Sequence, residues 1–104
     1  MATMGVQGLP KEYKDLAYWI WVAHTKMAPE AIETKFSIVN EGAGKLDVVC
    51  LTSPEQTGPA YSSYFFQIGK TPILIELSYR SQDPKKVEFI AAAKWMIEHA
   101  VAAR

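Results

Sequence analysis

The sequence has one cysteine, no excess of either charge and no long apolar run. Because Cys50 has no partner in the chain, an intrachain disulfide is excluded, and a lone thiol is typical of a reducing compartment. We therefore expect a cytoplasmic protein. The longest continuous apolar run covers residues 16–23, whereas a membrane-spanning helix needs about 20 apolar residues. The sequence thus predicts no membrane-spanning segment.

The charges are balanced, with 11 basic and 11 acidic side chains. Proteins that bind nucleic acids or anionic membranes usually carry a basic excess, because lysine and arginine displace counterions from phosphates. The composition therefore argues against both kinds of partner. Residues 1–10 lack the basic start and continuous apolar core of a secretory signal, and Met1 suggests a natural start.

The length of 104 residues predicts one compact domain over 1–104, large enough to bury a core without a metal or disulfides. Residues 1–9 are expected to be a flexible N-terminal segment. From Pro10 onward, apolar residues recur at spacings of three and four, which predicts a helix over 10–27. The aromatic and β-branched residues of 18–22 favour a strand instead, so a strand remains the alternative there.

Alternating and apolar segments between turn residues predict four strands, over 35–40, 46–52, 61–68 and 73–79. Glycine-containing turns at 41–44 and 69–72 would join them into two hairpins, and the polar segment 53–59 is expected to be a surface loop. Asp83 and Pro84 predict the start of a last helix that continues toward Arg104. The fold class is therefore α+β: a four-stranded, mainly antiparallel sheet flanked by an N-terminal and a C-terminal helix. The strand order stays undetermined.

Both faces of this sheet carry apolar side chains. Val49 and Leu51 lie on the side opposite Val48 and Cys50, because side chains alternate along a strand. Two arrangements would bury both faces. Either the two helices divide between the faces, or one face is covered by a partner.

No catalytic or metal-binding motif is present. Residues 42–45 (Gly-Ala-Gly-Lys) lack the spaced glycine and the following serine or threonine of a phosphate-binding loop. His24 and His99 belong to no paired-ligand spacing, and Cys50 lies in an apolar strand, where a thiol is poorly reactive. We therefore expect no catalytic residues, no metal and no cofactor. Enzymatic activity stays open, although the residues favour a non-catalytic role.

Four side chains are candidates for an interaction surface. Trp95 and His99 lie off the apolar stripe of the last helix, and Tyr18 and Trp21 lie off that of the first. Tryptophan and tyrosine are typical interface anchors. We therefore expect a small cytosolic binding or regulatory domain that acts through protein contacts, as a homodimer. The alternative is that these residues simply pack the two helices against each other.

A second hypothesis is a small-molecule-binding domain or compact enzyme with an aromatic-lined pocket. Tyr61, Tyr64, Phe65 and Phe66 would line it, beneath the loop 53–59. Because consecutive residues of a strand point to opposite faces, only one of Phe65 and Phe66 fits a simple two-layer core. A third hypothesis is a subunit or inhibitor of a larger protein.

Overall fold

The computed structural model describes residues 2–54 and 58–101. Within these residues the chain forms five strands, two α-helices and one π-helical segment. In chain order they are β1 (Thr3–Gly8), α1 (Leu16–Val22), the π-helical segment Ala23–Met27, β2 (Ile32–Asn40), β3 (Gly44–Thr52), β4 (Pro59–Ile68), β5 (Thr71–Arg80) and α2 (Lys86–His99). The strands form one antiparallel sheet in the order β1-β5-β4-β3-β2. The fold is therefore α+β, as the sequence predicts.

The predicted number of four strands is wrong, because the N-terminal segment adds a fifth. Residues within 1–9, which the sequence predicts to be flexible, form β1 and pair antiparallel with β5, Met4 opposite Leu77 and Val6 opposite Ile75. Gly5 and Gly8 weaken the strand signal, since glycine is depleted in strands. Pairing with β5 compensates for this weak strand propensity, because it satisfies backbone N–H and C=O groups of β5 that would otherwise lie at an open sheet edge.

Both predicted hairpins are present. In the first, β2 and β3 pair from Ile32 opposite Thr52 to Asn40 opposite Gly44. In the second, β4 and β5 pair up to Ile68 opposite Thr71. Gly44 and Gly69 have φ of 77° and 59°, values that L-residues with a side chain adopt only at a cost. These glycines therefore permit the turns that set the register of the sheet.

The two helices lie on opposite faces of the sheet. On one face, Ala93 and Ile97 of α2 pack against a cluster that includes Val48, Tyr64 and Phe66. On the other face, Trp19 of α1 packs against Phe65, with ring centroids 5.5 Å apart and planes at 88°. The sheet is thus covered on both sides, which accounts for the apolar residues on both faces of its strands.

The first helix begins later than predicted. Pro10 forms a turn, in which the Tyr13 N–H donates to its carbonyl at 3.1 Å, and α1 begins only at Leu16. Asp15 is the N-cap: its carboxylate accepts a hydrogen bond from the Tyr18 N–H at 2.8 Å. Residues 18–22 are helical, which excludes the strand alternative. Beyond Val22 the helix widens, and the Ala28 N–H donates to the Ala23 carbonyl at 2.8 Å.

The bounds of the last helix also differ from the prediction. Asp83 accepts hydrogen bonds from the Lys85 and Lys86 N–H groups in a turn, and α2 begins after it, at Lys86. The helix ends at His99, although the sequence has no breaker there, and at this end the Asn40 side chain donates to the carbonyls of Ile97 and Ala100. Residues 102–104, part of the predicted extension, lie outside the described residues. Neither described helix is long and apolar enough to span a membrane.

Candidate functional site

The four predicted interface residues form two separate pairs. Trp95 and His99 lie together on α2, with ring centroids 4.3 Å apart and planes at 42°. Tyr18 and Trp21 stack on α1, with centroids 5.9 Å apart and planes at 22°. Because α1 and α2 cover opposite faces of the sheet, a single flat contact surface cannot contain both pairs.

The pair on α2 borders an apolar groove of about 400 Å³ between this helix and β1, here called the α2–β1 groove. Three of its residues are strongly exposed: Val6 by 57%, Trp95 by 59% and Val101 by 77%. Among the described lining residues, His99 is the one titratable side chain; the others are Val6, Phe66, Ile73, Ile75, Trp95, Met96, Ala100 and Val101. His99 Nδ1 lies 3.0 Å from the Glu41 carboxylate, which holds the imidazole beside Trp95.

The pair on α1 is flanked by cations. Lys14 Nζ lies 5.8 Å from the centroid of the Tyr18 ring, and Lys26 Nζ lies 5.6 Å from that of Trp21. Both distances are within reach of a cation–π interaction. A partner docking on these rings would have to displace or desolvate the two ammonium groups. We therefore expect this face of α1 to stay exposed to solvent rather than to bind an apolar partner.

The two edges of the sheet differ in their protection. Edge strands usually carry charges, prolines or bulges that prevent pairing with another chain. At one edge, β2 carries Glu33, which lies 3.2 Å from the His24 imidazole and 3.9 Å from Lys35 Nζ. At the other edge, β1 (Thr-Met-Gly-Val-Gln-Gly) has neither a charged residue nor a proline. Of the two edge strands, β1 is therefore the one without charged residues or prolines that would oppose pairing with a further strand.

A cavity of about 260 Å³ lies on the opposite face of the sheet, beneath α1 and the π-helical segment, and is here called the α1-side cavity. Its walls are mainly aromatic and aliphatic, with Glu76 the charged residue among those described. The lining consists of Gln7, Pro10, Tyr13, Trp19, Ala23, Met27, Ala28, Leu51, Tyr61, Ser63, Phe65, Leu74 and Glu76. Four neighbouring strands, β1, β5, β4 and β3, supply its floor.

The structure does not bring together the four residues of the predicted aromatic pocket. Tyr61 and Phe65 line the α1-side cavity. Tyr64 and Phe66 point to the other face and belong to the core beneath α2, and Phe66 also forms part of the α2–β1 groove. Strand alternation imposes this division, since odd and even positions of β4 face opposite sides. Burial raises the pKa of Tyr64 to about 12.

Tyr61 links the wall of the cavity to the segment that follows the π-helix. Its hydroxyl donates a hydrogen bond to the Glu30 carboxylate at 2.8 Å. Burial and this hydrogen bond raise the pKa of Tyr61 to about 12. The pKa of Glu30 is lowered, first by a hydrogen bond from its own backbone and then by the Tyr61 hydroxyl. Both shifts favour the ionisation states in which this contact forms.

The buried thiol of Cys50 lies within the core beneath α2, with Sγ 3.2 Å from the Thr52 hydroxyl. Burial raises the pKa of the thiol, so the nucleophilic thiolate is disfavoured. Within residues 2–54 and 58–101, no three or more histidine, cysteine or acidic side chains are grouped so that they could hold a metal ion.

Sequence reasoning missed two features of these surfaces. Val6 belongs to the α2–β1 groove, and its only sequence signal is the short alternation Met4-Gly5-Val6. Glu76 contributes to the α1-side cavity, although its strand pattern predicts only that it faces away from Ile75 and Leu77. No family model matches the chain, and neither a curated protein nor a solved structure does.

Proposed function

We propose that this protein is a small non-catalytic binding domain that forms a homodimer through the α2–β1 groove and the adjoining edge of β1. The observation that carries the proposal is the exposure of Val6, Trp95 and Val101 on one continuous apolar surface beside an unprotected strand. Contiguous apolar patches on soluble domains usually mark interaction sites. A tryptophan in such a patch is a typical anchor of a protein interface.

Symmetry favours a second copy of the chain as the occupant. Two β1 strands can pair antiparallel about a two-fold axis, so that each offers the other the same surface. Because β1 is uncharged, this pairing brings no like charges together. A two-fold axis perpendicular to the sheet also keeps both α2 helices on the same face. The grooves of the two copies would then meet across the axis, and Val6 and Trp95 of each would contribute to one shared apolar surface.

The other exposed aromatic pair provides a matched control. Trp21 on α1 is 51% exposed and Trp95 on α2 is 59% exposed, so a charge at either position should leave the monomer folded. Of these two tryptophans, only Trp95 would be buried in the proposed dimer. Trp95→Glu should therefore abolish association, whereas Trp21→Glu should leave it unchanged.

Sedimentation velocity of the wild type and both variants, at two loading concentrations, tests this prediction. Circular dichroism of each variant checks that the fold is retained. A wild-type monomer at both concentrations would overturn the homodimer and direct attention to a foreign partner. Equal loss of the dimer in both variants would overturn the assignment of the interface to α2.

A further inference from the structure

We propose that the α1-side cavity binds a small organic cation: a primary amine carried on a compact aromatic or aliphatic body. This site lies on the face of the sheet opposite the α2–β1 groove, so the inference is independent of the proposed homodimer. Three properties of the cavity carry it: its size, its aromatic walls and the sign of its charge.

The size of the cavity restricts the ligand to a small molecule. Its volume of about 260 Å³ is slightly below the lower end, about 300 Å³, of typical ligand pockets. Trp19 and Phe65 form a rigid inner wall through their edge-to-face contact. Tyr61 forms another wall, and its hydrogen bond to Glu30 fixes the orientation of the phenol. A single ring with a short substituent is of suitable size for this space.

Part of the cavity wall is formed by the π-helical segment. Ala23 and Met27 of this segment both line the cavity, and Met27 is exposed. π-Helical turns are rare and often occur at functional sites, because they displace side chains from their ordinary helical positions. A methionine in the wall can adjust to different ligand shapes, since its side chain is unbranched and flexible. The segment is therefore suited to contact a small apolar body.

The charge of the lining favours a cation. Glu76 is the one charged side chain among the described lining residues, and no lysine or arginine accompanies it there. Gln7 Nε2 donates a hydrogen bond to Glu76 Oε1, which holds the carboxylate in place. Because a carboxylate can accept several hydrogen bonds, its second oxygen can still accept one from an ammonium group. Tyr13, Trp19 and Tyr61 also line the cavity, and the face of an aromatic ring attracts a positive charge. An anionic ligand would find no cation to pair with.

A set of three probes with one shared body separates charge from shape. These are 2-phenylethylamine, 2-phenylethanol and 3-phenylpropionate, which carry a positive, a neutral and a negative end. Titration of each probe into ¹⁵N-labelled protein should move the amide resonances of Ser63, Phe65 and Leu74 for the amine. The alcohol should bind more weakly, and the carboxylate should not bind.

Two variants assign the preference to Glu76. Glu76→Gln should weaken binding of the amine by roughly tenfold or more while leaving that of the alcohol almost unchanged, as expected when a charged hydrogen bond is lost. Glu98→Gln, which removes an exposed carboxylate on α2, should change neither affinity. A thermal melt checks that each variant is folded.

Equal affinities for the amine and the alcohol would overturn the proposal, as would resonance shifts confined to residues outside the cavity. Failure of all three probes to bind would also overturn it. If Glu98→Gln lost amine binding to the same extent as Glu76→Gln, the loss would be explained by the change in net charge. That result would contradict the assignment of the ammonium site to Glu76.

Discussion

The side-chain amide of Asn40 donates a hydrogen bond to the main-chain carbonyl of Ile97 at 2.7 Å, across 57 positions of the chain. The same amide donates to the Ala100 carbonyl at 2.9 Å, and its oxygen accepts from the N–H groups of Gly42 and Ala43. The side chain is 2% exposed. One residue therefore closes the turn between β2 and β3 and also ends α2.

Replacing Asn40 should destabilise the domain strongly. Asn40→Ala removes the side-chain donor to the Ile97 and Ala100 carbonyls and the acceptor of the two turn N–H groups, and hydrogen bonds lost at a buried position cost about 1 to 3 kcal/mol. We therefore expect the free energy of unfolding to fall by about 3 kcal/mol, measured by urea denaturation with an unchanged dependence on denaturant concentration.

Asn40→Asp is the matched control, because it keeps the acceptor for Gly42 and Ala43 and removes only the donor. Its negative charge would also lie at the C-terminal end of α2, where the helix dipole opposes it. This variant should be destabilised at neutral pH and should regain part of its stability in acid. Wild-type stability of both variants would contradict the assigned role.

The open edge of β1 can be tested with two lysine substitutions. Val6 on β1 is 57% exposed and Val39 on β2 is 72% exposed, so a lysine at either position should cost the monomer little stability. Val6→Lys should prevent dimer formation, because lysine is a typical protector of edge strands and its ammonium group would have to be buried in the shared apolar surface. Val39→Lys should leave the dimer intact. Gel filtration distinguishes the two variants. A dimer that persists in Val6→Lys would exclude the β1 edge as the interface.

The Cys50 thiol should be unreactive in the folded protein. It is buried in the core and its pKa is raised by burial, so both access and ionisation oppose alkylation. We expect labelling by iodoacetamide, followed by mass spectrometry, to be negligible in buffer and complete in denaturant at the same pH. Rapid labelling of the folded protein would contradict the position of this residue in the core.

The contact between Tyr61 and Glu30 should make stability depend on pH in the acid range. Because the pKa of Glu30 is lowered below its ordinary value of 4.5 in the folded state, its contribution is complete above that value. It is lost as the pH falls through the folded-state pKa. Tyr61→Phe removes one of the two hydrogen bonds responsible.

The melting temperatures of the wild type and Tyr61→Phe should therefore differ at neutral pH and converge in acid. Melting curves recorded at neutral pH and well below pH 4.5 measure this convergence. A difference that stays constant with pH would show that the hydroxyl acts without the ionised carboxylate.

The local features of the fold were predictable because they depend on residues close together in the chain. Glycines such as Gly44 and Gly69 indicated both hairpins, and the apolar residues around Val48 and Val49 indicated a sheet that is buried on two sides. The strand β1 was not predictable, because its glycines weaken the local signal and its stability depends on pairing with β5. The end of α2 depends on Asn40, far away in sequence.

The candidate surfaces were predictable to the extent that they lie on single elements. The helical position of Trp95 indicated that it lies off the core stripe, and it is exposed. Its neighbour Val6 could not be found without β1. The division of the four predicted pocket residues between the two faces has a similar cause. The position of α1 over Tyr61 and Phe65, with Glu76 beside them, is a property of the assembled sheet.

Absolute mass is the decisive measurement for the proposed homodimer through the α2–β1 groove. Multi-angle light scattering across a gel-filtration peak, at a series of loading concentrations, gives that mass without assumptions about shape. We expect a species of twice the 11.6 kDa chain mass, lost in Trp95→Glu and retained in Trp21→Glu. A mass of 11.6 kDa for the wild type at every concentration would contradict it.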